Sequence, residues 1–214
     1  MVIPPARLDV LPPSLQRHAD LGICLADGRT AVCPPDSFDY YKEALSPYGF
    51  TIICGKNALS CNYPKDSAYN VCVAGKKCFL NKNVCDEVLY DILTSVGYEI
   101  IHIKQGYTKC SICPIDENSI ITADAQIASI AKRCGMDVLE ITNDSIVLPG
   151  YSNGFFGGSS GMGDKNSLLI NGELSTHPDK DRILSFLQGK NIEVKELKKG
   201  NLTDIGSILP LITI

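Results

Sequence analysis

The chain has 214 residues, 44% of them hydrophobic and 21% charged, and a mean hydropathy of +0.05, a composition that excludes a disordered or fibrous protein. A net charge of −4 and a pI near 5.4 give no long-range attraction to nucleic acid or anionic lipid, so neither is an expected partner. No apolar run approaches the ~20 residues that span a bilayer, and the first residues lack the basic start and long apolar core of a secretory signal, so the expected location is cytoplasmic.

Ten cysteines are present. Most sit inside Val/Ile-rich runs such as Ile23-Cys24-Leu25, Ile52-Ile53-Cys54 and Val71-Cys72-Val73, not in polar loops, so they read as reduced, buried, small apolar residues.

Residues 1–14 carry Pro4, Pro5, Pro12 and Pro13 and read as an extended segment. A regular unit then begins. Residues 18–25 are a predicted strand, Asp27-Gly28 a tight turn and residues 29–33 the returning strand. Asp36 or Ser37 caps a helix that runs to about Ser46, Gly49 suits its left-handed end, and residues 50–54 form a third strand. The same order recurs with strand 69–74, turn 75–76, strand 77–80, helix 84–95, Gly97 and strand 98–103. A third copy has strand 110–115, turn 116–118, strand 119–122, helix 124–133, Gly135 and strand 137–141. The fourth opens on the glycine-rich stretch 153–163, followed by strand 167–170, helix 179–188, Gly189 and strand 192–197. A fifth starts at Asp204 and holds only its first strand.

Units of roughly 40 to 50 residues, each too small to bury its own apolar face, point to a propeller or solenoid. An open, doubly wound parallel sheet would need long crossovers where the sequence offers short hairpin turns. Because the last copy is truncated and the first is preceded by an orphan segment, residues 204–214 are expected to pair with residues 2–11 and close a ring.

The ββαβ repeat with fivefold pseudosymmetry resembles the pentein, or guanidino-group-modifying, superfamily. That superfamily includes arginine deiminases, dimethylarginine dimethylaminohydrolases, amidinotransferases and a non-enzymatic ribosome anti-association factor. More closely, Gln105-Gly-Tyr-Thr-Lys-Cys110-Ser, Leu148-Pro-Gly-Tyr, Gly154-Phe-Phe-Gly-Gly-Ser, Thr176-His-Pro-Asp179 and Asp204-Ile-Gly-Ser are similar to an uncharacterised bacterial family placed there. The resemblance implies an α/β fold, a five-bladed pentein-type propeller over residues 1–214 with repeats starting near 18, 69, 110, 153 and 204. It also implies cysteine-dependent hydrolysis or transfer on a guanidino- or amidine-type small molecule.

If residues 18–25 are a strand, His18 and Asp20 share a face, and such a pair sets an imidazole and a carboxylate beside one substrate. His18-Ala-Asp20 looks like the superfamily's His-x-Asp strand; the alternative is a strand-start histidine capped at the surface. Lys109-Cys-Ser-Ile-Cys-Pro114 resembles the Arg-Cys-Met-Ser-Met-Pro strand that carries the nucleophilic cysteine of deiminases. The enzymes hold that cysteine in the last repeat, whereas Cys110 lies in the third, so a buried structural cysteine stays open as the alternative.

The catalytic candidates are therefore Cys110, His18 and Asp20, and the substrate-binding candidates are Asp204, Asn70, Tyr107 and Phe155. No cofactor is expected, and no metal, because Cys110 and Cys113 would point to opposite faces of one strand. Cys110 is expected to be partly exposed, and Cys24, Cys54 and Cys72 to be shielded. Lys109 should point away from Cys110, His102 should pack in its apolar strand, and Asp179 should cap a helix behind His177-Pro178. The stretch 150–163 should act as a flap. The competing function is a non-catalytic binding protein using the same channel or one face.

Overall fold

The computed structural model describes residues 2–211, which form two compact units, residues 2–108 and residues 109–211. In the first unit a helical turn α1 (Ala19–Gly22) leads into β1 (Cys24–Leu25) and β2 (Thr30–Cys33), then α2 (Phe38–Leu45) and β3 (Thr51–Cys54). A second copy follows with β4 (Cys72–Ala74), β5 (Lys77–Leu80), α3 (Glu87–Val96) and β6 (Glu99–His102). A single helical turn α4 (Thr108–Ser111) starts at the end of this unit.

The second unit holds β7 (Ile112–Asp116), β8 (Ser119–Thr122), α5 (Ala125–Arg133) and β9 (Asp137–Glu140), then β10 (Ser160–Asp164), β11 (Ser167–Ile170), α6 (Lys180–Gln188) and β12 (Glu193–Glu196).

Four three-stranded sheets result, and all four have one topology: the first strand antiparallel to the second, the second parallel to the third. This is the predicted ββαβ grammar. The parallel pairs are bridged by a helix, which supplies the crossover that parallel strands need. No open parallel sheet forms among the described residues.

Every crossover helix buries a pair four residues apart: Tyr41/Leu45, Leu89/Leu93, Ile127/Ala131 and Ile183/Leu187. Three of the helical segments end at a glycine with positive φ, namely Gly49, Gly97 and Gly135. The fourth differs from expectation: Gly189 stays right-handed, and Asn191, φ +57, makes the left-handed turn. Hairpin chemistry repeats as well. Asp116 and Asp164 each accept the backbone N–H two residues on, at Asn118 and Asn166, and each hairpin carries a bulge on the preceding strand.

Two predicted strands open as helical turns. Residues 19–22 and 108–111 are helical turns, and regular pairing starts only at Cys24 and Ile112. Short apolar runs do not discriminate strand from helix by periodicity. At the first, Leu21 N–H and Ile23 N–H bond back to His18 and Ala19.

The glycine-rich stretch is no flap. Gly154 and Phe156 to Ser160 are buried, and residues 160–164 form β10. Residues 204–208 form no strand but lie along that element, with Ile205 and Ser207 N–H donating to Gly158 O and Ile208 N–H to Ser160 O. Positions 212–214 of the predicted fifth-copy strand lie outside the described residues. The N-terminal segment packs on α2 through Tyr40 Oη–Pro4 O and Ala6 N–Tyr41 Oη bonds. Among the described residues no helix is long and apolar enough to cross a membrane.

Within the first unit the two repeats are tied by Asp86, which is fully buried. One oxygen caps α3 through Val88 and Leu89 N–H; the other accepts Lys56 and Asn57 N–H, both at 2.8 Å, and the Tyr69 hydroxyl at 3.2 Å. Asp179 repeats the device in the second unit: it precedes α6 and accepts Thr142 N–H after β9 at 2.7 Å. Asp86→Ala removes a cap and strands buried donors, so it should cost at least about 3 kcal/mol by urea unfolding. Asp86→Asn should cost less, and an alanine variant within about 1 kcal/mol of the parent would contradict the assignment.

Candidate functional site

In the first unit, His18 occupies the residue before α1 with an extended backbone, and Asp20 lies in the first turn. Both are buried. The strand-parity argument for them fails, because residues two apart in a helical turn are rotated by roughly 200°. What joins them to the rest of the unit is the backbone: Asn70 Nδ2 donates to Asp20 O at 3.1 Å, and Thr108 Oγ1 donates to Asn70 O at 2.6 Å and Phe79 O at 3.0 Å. Asn70, a predicted substrate residue, thus holds the turn that carries His18 and Asp20.

Tyr107, the next such residue, gives its hydroxyl to Asp66 and lies 5.3 Å, centroid to centroid, from the Tyr63 ring. Asp66 was not singled out from sequence. It is 3% exposed, its Oδ1 is buried without a partner among the described residues, and burial pushes its carboxyl above the usual carboxylate range, partly offset by the Tyr107 hydroxyl. Gly106 lets this loop close, since a Cβ there would sit 2.6 Å from Ser67 Oγ and 2.8 Å from the Tyr63 ring.

In the second unit, Cys110 is 3% exposed, so the expected partial exposure is corrected. Its carbonyl accepts Gly158 N–H at 3.0 Å, and a Cβ on Gly157 would stand 2.6 Å from that carbonyl and 2.4 Å from Ile112 O. The glycines therefore bring backbone against the backbone of the Cys110 turn. The argument that turned Lys109 away also lapses, because it assumed a strand. Lys109 Nζ donates to Ser207 Oγ at 3.1 Å, and Ser207 holds φ +68.

Asp204, another predicted substrate residue, accepts Phe155 N–H at 2.9 Å and Gly206 N–H at 3.0 Å, one on each oxygen, and closely abuts Gly154 and Gly158. It braces the glycine segment. Phe155, the last of that set, lines a cavity of about 130 Å³ with Ser111, Ala123, Asp124, Asn143 and Phe156. Cys113 is fully enclosed; its Sγ accepts the Ser160 hydroxyl at 3.2 Å, and burial pushes the thiol up although the Lys109 charge pulls the other way.

Other expectations change too. Cys54 is exposed, though burial pushes its thiol up with Asp86 and Asp39 adding to the effect, while Cys24 and Cys72 are buried as expected. His102 is exposed and accepts Lys82 N–H at its Nδ1, since the outer face of an edge strand need not be apolar. Asp179 sits at the helix start, but its side chain bonds Thr142 N–H and the Arg182 guanidinium, not the backbone N–H groups of the first turn. His177 is buried against Phe156, accepts Asp179 N–H at Nδ1, and is held neutral-favouring by burial. Among the described residues no three His, Cys, Asp or Glu side chains are arranged to hold a metal ion.

A family model described as a family of unknown function, DUF6873, matches residues 1–209. No curated protein matches the chain. Solved structures do. A mutant dimethylarginine dimethylaminohydrolase from Pseudomonas aeruginosa in complex with citrulline is 9% identical, with a TM-score of 0.50 over 85% of this chain and 70% of that one. A dimethylarginine dimethylaminohydrolase adduct with S-methyl-L-thiocitrulline is 10% identical, with a TM-score of 0.53 over the same shares. An adduct with 4-chloro-2-hydroxymethylpyridine is 9% identical, with a TM-score of 0.52 over 85% of this chain and 72% of that one. At such identities the likeness carries the fold alone, a mixed α/β fold of the pentein type. The family model carries membership, and this chain belongs to the DUF6873 family of unknown function.

Proposed function

We propose that the protein acts on a guanidino- or amidine-type small molecule on a five-unit pentein-type ring, with Cys110 as nucleophile, His18 as acid–base group and Asp20 and Asp66 as partners for the substrate cation. The observation that carries this reading is Asp66: a buried carboxylate with one oxygen satisfied by Tyr107 and the other without a partner suits a planar cation that brings N–H donors. Asn70 and Thr108 support the reading by fixing the His18–Asp20 turn to the stretch that runs into Cys110. The structural relatives, solved with citrulline and with S-methyl-L-thiocitrulline, favour the same ligand class.

The chemistry is covalent. The Cys110 thiolate adds to the amidine carbon, the C–N bond breaks, and the departing amine takes a proton from His18. Water then adds to the carbon with His18 accepting its proton, the C–S bond breaks, and the thiol is restored with a urea or amide as product.

A second reading has its own observation. Cys110 is almost wholly enclosed, and its carbonyl is packed against glycine backbone, which suits a ligand-binding protein without turnover. The two separate on alkylation with 2-chloroacetamidine and its uncharged counterpart 2-chloroacetamide, followed by peptide mapping. The enzyme reading expects Cys110 to react at least about tenfold faster with the amidine, with that preference lost in Asp66→Asn and the rate lowered in His18→Ala. Exposed Cys54 and Cys61 should show no such preference. A Cys110 that reacts no faster than Cys24 or Cys72, or without preference, favours the binding reading.

The pH dependence follows from Asp66. Its pKa is raised in the folded protein, so stability falls as pH rises from the unfolded carboxylate range through the folded value, and a cationic ligand that needs the ionised form binds better along the same rise. Asp66→Asn should flatten both profiles, being relatively more stable than the parent at neutral pH than in acid. Parallel profiles in parent and variant, by thermal melts and ligand titration across acid to neutral pH, would contradict the role.

A further inference from the structure

Strand register sets two cysteines of the first unit side by side. Along β2 and β3, Cys33 stands opposite Cys54, and among the described strands no other cysteine has a cysteine in register with it. Hydrogen-bonded strands lie ~4.8 Å apart, within the roughly 4.4–6.8 Å that separates the Cα atoms of disulfide-bonded cysteines. Residues in register on parallel strands also project to the same side of the sheet. Both thiols accordingly meet the start of α2: Ser37 bonds to the Cys33 thiol, and the charge of Asp39, in the first turn of α2, acts on Cys54. Cys33 Sγ lies 4.0 Å from Ile53 O, on the strand that carries Cys54.

The two sulfurs differ in access. Cys54 is exposed and meets reagents in solution, whereas Cys33 is fully enclosed and is reached through Cys54. Burial pushes the Cys33 thiol up to about 12 and raises that of Cys54, so neither is stabilised as a thiolate. Thiolate stabilisation is what makes a dithiol hard to oxidise, and its absence here favours the disulfide at equilibrium. The same shifts make the reaction slow, because the thiolate is the nucleophile.

We propose that Cys33 and Cys54 form a dithiol site that a small-molecule disulfide of the oxidised-glutathione class converts to a cross-strand disulfide. The Cys54 thiolate attacks one sulfur of oxidised glutathione and breaks its S–S bond. A mixed disulfide forms, and one glutathione leaves with the proton that Cys54 gave up. The Cys33 thiolate then attacks Cys54 Sγ, the mixed S–S bond breaks, and the second glutathione leaves with the proton from Cys33. Two protein sulfurs are oxidised and two glutathione sulfurs are reduced. The bridge staples β3 to β2 just before Lys56 and Asn57, whose N–H groups Asp86 accepts, so the modified site borders the joint between the two copies.

The test equilibrates the folded full chain in glutathione buffers of rising oxidised fraction, traps the thiols with acid and N-ethylmaleimide, and maps tryptic peptides without reduction. Cleavage after Arg29, Lys42, Lys56 and Lys65 places Cys33, Cys54 and Cys61 in separate peptides. The expected product is the linked pair of Cys33 and Cys54 peptides, at least about tenfold more abundant than any other linkage of Cys54. Cys61, exposed and outside the strands, should carry a glutathione adduct and so report that the oxidant was active. Cys33→Ser should stop Cys54 at the mixed disulfide, and Cys54→Ser should leave Cys33 as a free thiol; amide spectra of both variants report whether they fold. Unfolded in urea, the parent should link Cys54 to Cys61, its nearer neighbour in sequence. A stable glutathione adduct on Cys54 of the folded parent overturns the proposal, as do free thiols at Cys33 and Cys54 while Cys61 is modified. Linkage of Cys54 to Cys61 in the folded parent, or the same Cys33–Cys54 preference in urea, overturns it too.

Discussion

The orientation of the two copies in the first unit depends on the Asp86 carboxylate. Two ββαβ copies with short strands have little intrinsic reason to adopt a fixed orientation, since hydrophobic burial is non-directional. A carboxylate that caps the helix of one copy and accepts two backbone N–H groups and a hydroxyl from the stretch between β3 and β4 supplies that direction. Asp179, at the start of α6, links the two copies of the second unit by accepting Thr142 N–H, without capping its helix. The linking residue stands where sequence logic places a helix cap, and in this fold its second oxygen does the joining.

This explains which parts of the fold were readable in the sequence. Helix caps, i,i+4 apolar pairs such as Leu89/Leu93, and aspartate-started hairpins are local signals, and the ββαβ order follows from them. Residues 19–22 and 110–111 are helical and not strand because so few residues carry too little periodicity, and tertiary bonds decide their conformation: Thr108 gives its hydroxyl to two carbonyls far away in sequence, at Asn70 and Phe79. The glycine-rich stretch misled for a related reason. Glycine there serves close backbone approach to Cys110 and Ile112, which no local pattern distinguishes from a mobile loop.

The candidate site divides in the same way. Residue types with distinctive chemistry, His18, Asp20 and Cys110, are visible as motifs, but strand parity does not describe them, because each lies at or in a helical turn. Asn70 and Tyr107 turn out to position other groups, holding the Asp20 carbonyl and the Asp66 carboxylate. Asp66 was invisible, because what singles it out is an unsatisfied atom in a buried place, a property of the packed structure alone.

Burial of Cys110 and an incompletely satisfied Asp66 are opposite cues, one toward a closed structural turn and the other toward a cationic ligand. They are reconciled if the substrate itself completes the carboxylate's hydrogen bonds and is the molecule the thiol meets. Steady-state release of amine from N-methylated guanidines, compared between the parent and Cys110→Ser, tests this most directly. The account predicts measurable turnover by the parent and none by the variant; saturable binding of the same compounds by both proteins, with no amine released by either, would contradict it.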